Sequence, residues 1–355
     1  MARLDQISFD TYTDEWLQRR GPDAVPLLSV SAPPGNITAA GAAKTGPYCV
    51  RLRGTDVPAY IRCLDLIPGS PDELWLAFHF KNDTTSSWWR ESARIYTDGV
   101  DLIFETRPNS LSRVDYNGTE YSTDTVMTGN IWFHVEMHLK MHATLGEFHV
   151  WINGVLEVSE EGIDTTLGGA TLIERWRIVT DNISTSNTIE SYFDNVIIQD
   201  DSGASDNGRI GVRYLEPVRS NASGDLSQWG LFPDTGESDW EDIDDVAPND
   251  DTDYLHEDTD GQQFLVNLAD WDATGKTPLK VHVTSIAKRE GGTAADAIKL
   301  LAKSGATTAK SASCELADGT YRFNLFTLHD DPDGGSWLEA GIDGLQIGAE
   351  CFDVP

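Results

Sequence analysis

The sequence predicts an all-β chain folded as two sandwiches, and three observations carry that reading. Short runs rich in Val, Ile, Phe, Tyr and Trp alternate with clusters of Gly, Pro, Asn and Asp, at the spacing of sandwich strands. One run alternates without a break from Trp132 to Met141. Phe133, Val135, Met137, Leu139 and Met141 take one face; His134, Glu136, His138 and Lys140 take the other. That period of two marks a half-buried strand. Finally, 355 residues exceed one ordinary domain and suit two.

In chain order, the first half predicts strands near Tyr48–Leu52, Ala59–Leu66, Leu74–Phe80, Ala93–Thr97, Leu102–Glu105 and Ser112–Tyr116. Trp132–Met141, Glu147–Ile152, Thr171–Val179 and Ser191–Gln199 follow. Asn153-Gly154 tolerates the positive φ of a tight turn, so another strand is expected from Val155. Residues 200–210 are small and polar, which sets a boundary: a domain over 1–200, a connector over 201–225 and a second domain over 226–355. Within the connector Ile210–Leu215 reads as strand-like. The second domain predicts strands near Phe264–Leu268, Leu279–Ala287, Ala297–Ala302, Gly319–Leu328 and Ile342–Glu350, with Ala294–Lys303 also compatible with a short helix. No repeat of fixed period is visible, which argues against a solenoid, propeller or fibre shaft.

The formal charge is -32, from 58 acidic and 26 basic residues. Such a surface repels phosphate backbones and anionic lipid, so neither nucleic acid nor membrane is an expected partner. The imbalance is uneven: residues 201–355 hold 30 acids and 11 bases, and Asp225 to Asp260 holds 14 acids with no Lys or Arg. A solvated, highly charged surface accounts for this, and adaptation to a salty medium is the sharper alternative. No apolar run is long enough to span a bilayer, and the N-terminus shows no secretory h-region. The cysteines fall as Cys49 and Cys63, then Cys314 and Cys351, each pair in or beside strand-like runs that could meet across a sheet. Without an export signal, reduced and buried thiols are the expected state.

The order of several motifs resembles the concanavalin A-like lectin/glucanase jelly-roll domains of tailed-phage virion proteins. These are Phe9-Asp-Thr-Tyr12, Trp132-Phe-His-Val-Glu136, the run from Gly146 to Gly154 and Tyr192-Phe-Asp-Asn-Val-Ile-Ile198. Gly203 to Pro217 resembles the connector after that domain. Val246 to Tyr254, Gly319-Thr-Tyr-Arg-Phe323 and Asp331 to Glu350 resemble its companion domain. The resemblance implies a concanavalin A-like jelly roll followed by a smaller β-sandwich. It also implies a non-enzymatic structural protein of a tailed virus particle, tail-associated or capsid-decorating. Such a protein would assemble in the host cytoplasm, with other virion proteins and copies of itself as partners. The alternative is a receptor-binding lectin holding a host surface glycan, and a glycoside hydrolase is a third reading.

The residues were weighed against each chemistry. A glycosidase needs two carboxylates about 5–10 Å apart, which glucanase relatives place on one strand as alternate acids. Glu136, Glu174 and Asp194 each lack such a companion. His134, His138, His142 and His149 invite a metal, but i and i+4 on a strand lie about 13 Å apart. A cross-strand pair such as His142 and His149 would still need a third ligand, so no metal is expected there. No other cofactor is expected, and Ca²⁺ is the one ion that the loops Asp250/Asp251/Asp253, Asp258/Asp260 and Asp330/Asp331/Asp333 admit. Solvated turns are the simpler account of them. Trp88, Trp89, Arg90 and Trp151 are the candidates for contact with a glycan or a neighbouring subunit, since exposed indoles stack on sugar rings and anchor interfaces.

Overall fold

The computed structural model describes residues 4–7, 28–31, 37–38, 49–54, 59–63, 71–82, 89–169, 171–180, 189–201, 208–234, 238–244, 252–291, 297–316 and 318–352. The described residues up to Glu216 form one compact unit, and those from Pro217 onward form another.

In the first unit the strands are β1 (Leu4–Ile7), β2 (Leu28–Ser31), β3 (Ile37–Thr38), β4 (Cys49–Gly54) and β5 (Ala59–Cys63). Next come β6 (Glu73–Asn82), β7 (Arg90–Thr97), β8 (Leu102–Thr106), β9 (Ser110–Tyr116) and β10 (Thr119–Met127). The last are β11 (Phe133–Lys140), β12 (Gly146–Ile152), β13 (Val155–Ile163), β14 (Ile173–Thr180) and β15 (Ile189–Asp200). They make the two sheets of a jelly-roll sandwich. An eight-stranded sheet runs β13-β12-β11-β6-β15-β4-β3, with β1 also on β15, and a seven-stranded sheet runs β10-β9-β8-β7-β14-β5-β2.

Alternation sends Leu74, Leu76, Phe78, Phe80, Val135, Met137, Leu139, Phe148 and Val150 into the core from the first sheet. Ile95, Phe104, Val114, Trp176 and Ile178 enter it from the second. The Asn153-Gly154 turn between β12 and β13 has φ of 51° and 83°, the left-handed pair that a two-residue hairpin requires. Asn117-Gly118 does the same between β9 and β10, at φ of 52° and 72°. The sequence reading overlooked that hairpin because β10, Thr-Glu-Tyr-Ser-Thr-Asp-Thr-Val-Met, is mostly polar and largely exposed.

The second unit is the smaller sandwich. Its strands are β16 (Ser220–Ser227), β17 (Gly230–Phe232), β18 (Tyr254–His256), β19 (Gln263–Leu268) and β20 (Val281–Ala287). β21 (Ala297–Ser304), β22 (Thr307–Lys310), β23 (Cys314–Glu315), β24 (Arg322–Leu328) and β25 (Gln346–Phe352) complete it, with a short helix α1 (Glu339–Asp343) before β25. A sheet ordered β16-β19-β25-β21-β22, with β23 on β21, stands beside the hairpins β17–β18 and β20–β24. Leu268, Ile298, Leu300 and Ala302 of the sheet pack with Val283, Leu328, Trp337 and Ile342. Phe264, Val266 and Ala349 pack with Trp229, Trp240 and Leu255 farther along the same face, since Leu300, Ala349 and Phe264 are cross-strand neighbours.

Ala297–Ser304 is a strand although its Ala, Leu and Lys content suits a helix. It is paired along both edges, which outweighs a propensity difference of a few tenths of a kcal/mol per residue. Cys314 and Cys351 do not face each other, because each pairs with Ile298 from opposite sides of β21. Two strand spacings, about 9.5 Å, exceed the reach of a disulfide. Peptide mapping without reductant is expected to find no Cys314–Cys351 link, even after mild oxidation.

Candidate functional site

The outer face of the eight-stranded sheet gathers histidine, carboxylate and aromatic side chains in register. Strand alternation that turns leucines and phenylalanines inward sets a polar and aromatic layer on the other side. Register aligns that layer in rows. Gln199, Trp75, His138 and His149 lie side by side across β15, β6, β11 and β12. The next rows are Ile197, Ala77, Glu136 and Trp151, then Asp194, His79 and His134. Tyr192 and Lys81 follow, with Trp132 just ahead of β11.

This face is buried, whereas a half-buried strand with a solvated outer side was expected. Glu136 is 0% exposed, His134 and His138 are 3% exposed, and Trp151 and His149 are 9% exposed. The cover is the segment 208–216, which the sequence reading placed in the 201–225 connector. Ile210 inserts among Trp75, Ala77 and Ile197 as an apolar anchor. The two oxygens of Glu136 accept the backbone N–H groups of Ile210 (2.7 Å) and Gly211 (3.1 Å). Gln199 Nε2 donates to the Gly208 carbonyl at 2.6 Å, and Leu215 N–H donates to Asn195 Oδ1 at 2.9 Å. Ile210–Leu215 is therefore no strand: the N–H groups of Ile210, Gly211 and Leu215 go to side chains of the sheet beneath. The connector also ends early, since β16 begins at Ser220.

The segment brings its own functional groups. Arg209 lies over the Trp151 ring at 4.8 Å, donates to the Gly154 carbonyl and sits 3.5 Å from Glu136. Tyr214 stacks on His79 at 4.9 Å, and His79 meets His134 edge-on at 5.1 Å. Arg209, Arg213 and Tyr214 are exposed, and Arg213 has no ion-pair partner among the described residues. Beside them Lys81 lies 4.9 Å from the Trp132 ring and 4.4 Å from the Tyr192 ring.

Electrostatics follow from this burial. His134 is pushed down to about 4 by desolvation, and then by the charges of Arg209 and Arg213, so its ring is neutral at physiological pH. Its Nδ1 is buried without a hydrogen-bond partner among the described residues. Burial raises Glu136 above the usual carboxylate range even though Ile210, Gly211 and Arg209 pull it the other way. Desolvation and the Glu190 carboxylate push Tyr192 up to about 12.

The four contact candidates from the sequence do not come together. Trp88 lies outside the described residues. Trp89 precedes β7 in the other sheet, with the Arg113 guanidinium over its ring at 4.6 Å, and Arg90 is a buried residue opening that strand. Trp151 alone belongs to the outer face. Of the histidines, His138 pairs with His149, and His142 caps the hairpin by accepting the Thr144 and Leu145 N–H groups on Nδ1. Asp250 and Asp251 lie outside the described residues. Asp331 accepts the Asp333 N–H as a turn acceptor, and Glu257 does the same for Asp258 and Thr259. The sequence reading missed His79, Lys81, Arg209, Arg213 and Tyr214. One signal was present: Arg209, Arg213 and Arg219 crowd into 11 residues just before the long stretch of acids without a base.

No family model matches the chain, and no curated protein does. Among solved structures, an endo-β-1,4-glucuronan lyase from the fungus Trichoderma reesei aligns at 11% identity with a TM-score of 0.41. That alignment covers 55% of this chain and 98% of the lyase. Alginate lyase Aly36B aligns at 13% identity and 0.36, covering 54% and 100%. Alginate lyase vAL-1 from Chlorella virus aligns at 12% and 0.36, covering 50% and 91%. At these identities the likeness is one of fold. The expectation of a non-enzymatic particle or receptor-binding protein is corrected here: the solved structures that align with the sandwich include polysaccharide lyases.

Proposed function

We propose that the N-terminal sandwich processes an anionic polysaccharide, cleaving uronate-containing chains by β-elimination. The observation that carries this reading is the clustering of Arg209, Arg213 and Lys81 with Tyr214, Trp132 and Tyr192 about one neutral histidine, His134, in a protein whose net charge is -32. Guanidinium groups pair with sugar carboxylates and aromatic faces stack on sugar rings. Elimination needs a base to take the proton on the carbon next to the carboxylate. The electron pair then forms a C=C bond, the C–O bond to the next sugar breaks, and the leaving oxygen takes a proton. Arg213 and Arg209 would face the carboxylate, His134 is the neutral acceptor and the exposed Tyr214 hydroxyl is the donor. Hydrolysis is less well served, because oxygens of Glu136 and Asp194 already accept backbone N–H groups.

Alginate, polyglucuronate and polygalacturonate are the substrates to test, following ultraviolet absorbance of the new double bond together with reducing ends. Both signals are expected to rise on at least one polymer. Tyr214→Phe is expected to lower kcat about 100-fold, and Arg213→Ala to raise KM about tenfold with kcat nearly unchanged. Reducing ends without unsaturation would make the protein a hydrolase; neither signal on any polymer would sink the reading.

A further inference from the structure

We infer that His138, Glu147 and His149 form a binding site for a divalent transition-metal ion of the zinc class. The site stands apart from the proposed cleavage chemistry and does not depend on it. The β11–β12 register sets His138 directly opposite His149, and Glu147 follows on the same face of β12 two residues before His149. One ligand atom from each of the three lies within 4.8 Å of the other two. A tetrahedral ion bonded at about 2.0–2.1 Å holds its ligands about 3.4 Å apart, so side-chain rotation of about 1–1.5 Å closes the set. Among the described residues no other group of three such ligands converges in this way.

Three further features distinguish this cluster from a chance meeting of polar side chains. First, the two imidazoles are in contact, so a rotation of each ring aims its lone pair at a shared ion. His138 is stacked between Trp75, at 4.4 Å and 12° from parallel, and His149, at 5.4 Å and 4°. Trp151 leans on His149 from the far side at 5.3 Å. Second, His138 Nε2 is 2.9 Å from Glu73 Oε1, which leaves Nδ1 as the acceptor nitrogen. A carboxylate on the far nitrogen is the support that metal-bound imidazoles use. Third, His149 is 9% exposed, and its Nδ1 is buried without a hydrogen bond among the described residues. A buried imidazole nitrogen left unbonded is costly, and a metal bond would remove that cost.

The charges around the cluster favour a dication. Glu73, Glu147 and Glu161 surround the two imidazoles, with Glu161 3.9 Å from His149 Nε2, and Lys140 is the opposing cation at 3.7 Å from Glu73. Two imidazoles and one carboxylate suit Zn²⁺ better than Ca²⁺ or Mg²⁺, and three protein ligands leave the fourth position open.

The test uses the full chain, stripped with chelator and titrated with Zn²⁺ by calorimetry, then with Co²⁺ for its visible absorption. One ion per chain is expected, with the intense Co²⁺ bands of a four-coordinate site and a raised unfolding temperature. Glu147→Gln, at a half-buried position, is expected to weaken binding at least 100-fold, as is His149→Ala. Glu73→Gln should weaken it about 10–100-fold without abolishing the Co²⁺ spectrum. His142→Ala, in the adjoining hairpin but outside the cluster, should leave affinity unchanged. No saturable binding, or equal loss in His142→Ala and Glu147→Gln, would overturn the site.

Discussion

Lowering the pH from 7 to 4 is expected to cost the N-terminal sandwich about 3 kcal/mol through His134 alone. In the unfolded chain this imidazole takes a proton near its ordinary value of 6.5, whereas in the fold it resists until about 4. Above 6.5 both states are neutral and the full stability is present. Below it the unfolded state binds a proton that the folded state refuses, and the deficit grows until pH reaches about 4. That interval corresponds to about 3 kcal/mol at about 1.4 kcal/mol per pH unit. His149, also held low, adds in the same direction. Glu136 acts in the opposite direction, because its raised carboxyl is easier to protonate in the folded state. The measurement is therefore a difference: urea unfolding of wild type and His134→Phe at pH 7 and pH 4. The variant keeps a ring but cannot titrate, and it should lose about 3 kcal/mol less than wild type over that range. Equal losses would show that burial of His134 carries no proton linkage.

Gly348→Ala is expected to destabilise the C-terminal sandwich by about 3 kcal/mol, the upper end for forcing one methyl into a packed interior. Gly348 sits on β25 opposite Leu265 of β19. A Cβ there would run into the backbone carbonyl of Phe264 and lie 3.1 Å from the Leu265 Cα. No side chain can rotate to relieve a clash with backbone. The strand cannot retreat freely either, because Gly224 of β16 is also close on its other side, where a Cβ would come 2.6 Å from the Leu265 carbonyl oxygen. β19 is thus held between neighbours that carry glycine at the contact. Thermal unfolding should show the loss in the transition of the second sandwich. A stability change under about 1 kcal/mol in Gly348→Ala would show that the strands can part.

Much of the fold was legible because it is written in local pattern. Val135, Met137 and Leu139 alternating with His134, Glu136 and His138 defined β11 to within two residues at each end. Asn153-Gly154 located the following turn. β10 and β16 were missed, since strands of Thr, Ser, Asp and Gly owe their state to pairing with a neighbour and carry no apolar period. The site was harder. Trp151 lies on the outer face, whereas Trp89 and Arg90, candidates from the polar stretch after Phe80, lead into β7 of the other sheet. The partner of His149 was expected at His142, but β11 ends at Lys140 and pairing brings His138 there instead.

By itself, then, the sequence determined the class of structure, the two sandwiches and which side chains of β11 and β12 share a face. These follow from the two-residue repeat of a strand and from turn chemistry, both of which act within a few residues. Only the tertiary structure decided that the outer face is covered. Glu136 reads as a solvated strand residue until Ile210 and Gly211, more than 70 positions away, are seen to donate to its oxygens. The same holds for the meeting of His138, Glu147 and His149, which depends on the register between two strands. A register error of one residue would turn every one of those groups to the opposite side of the sheet, and no local pattern fixes it.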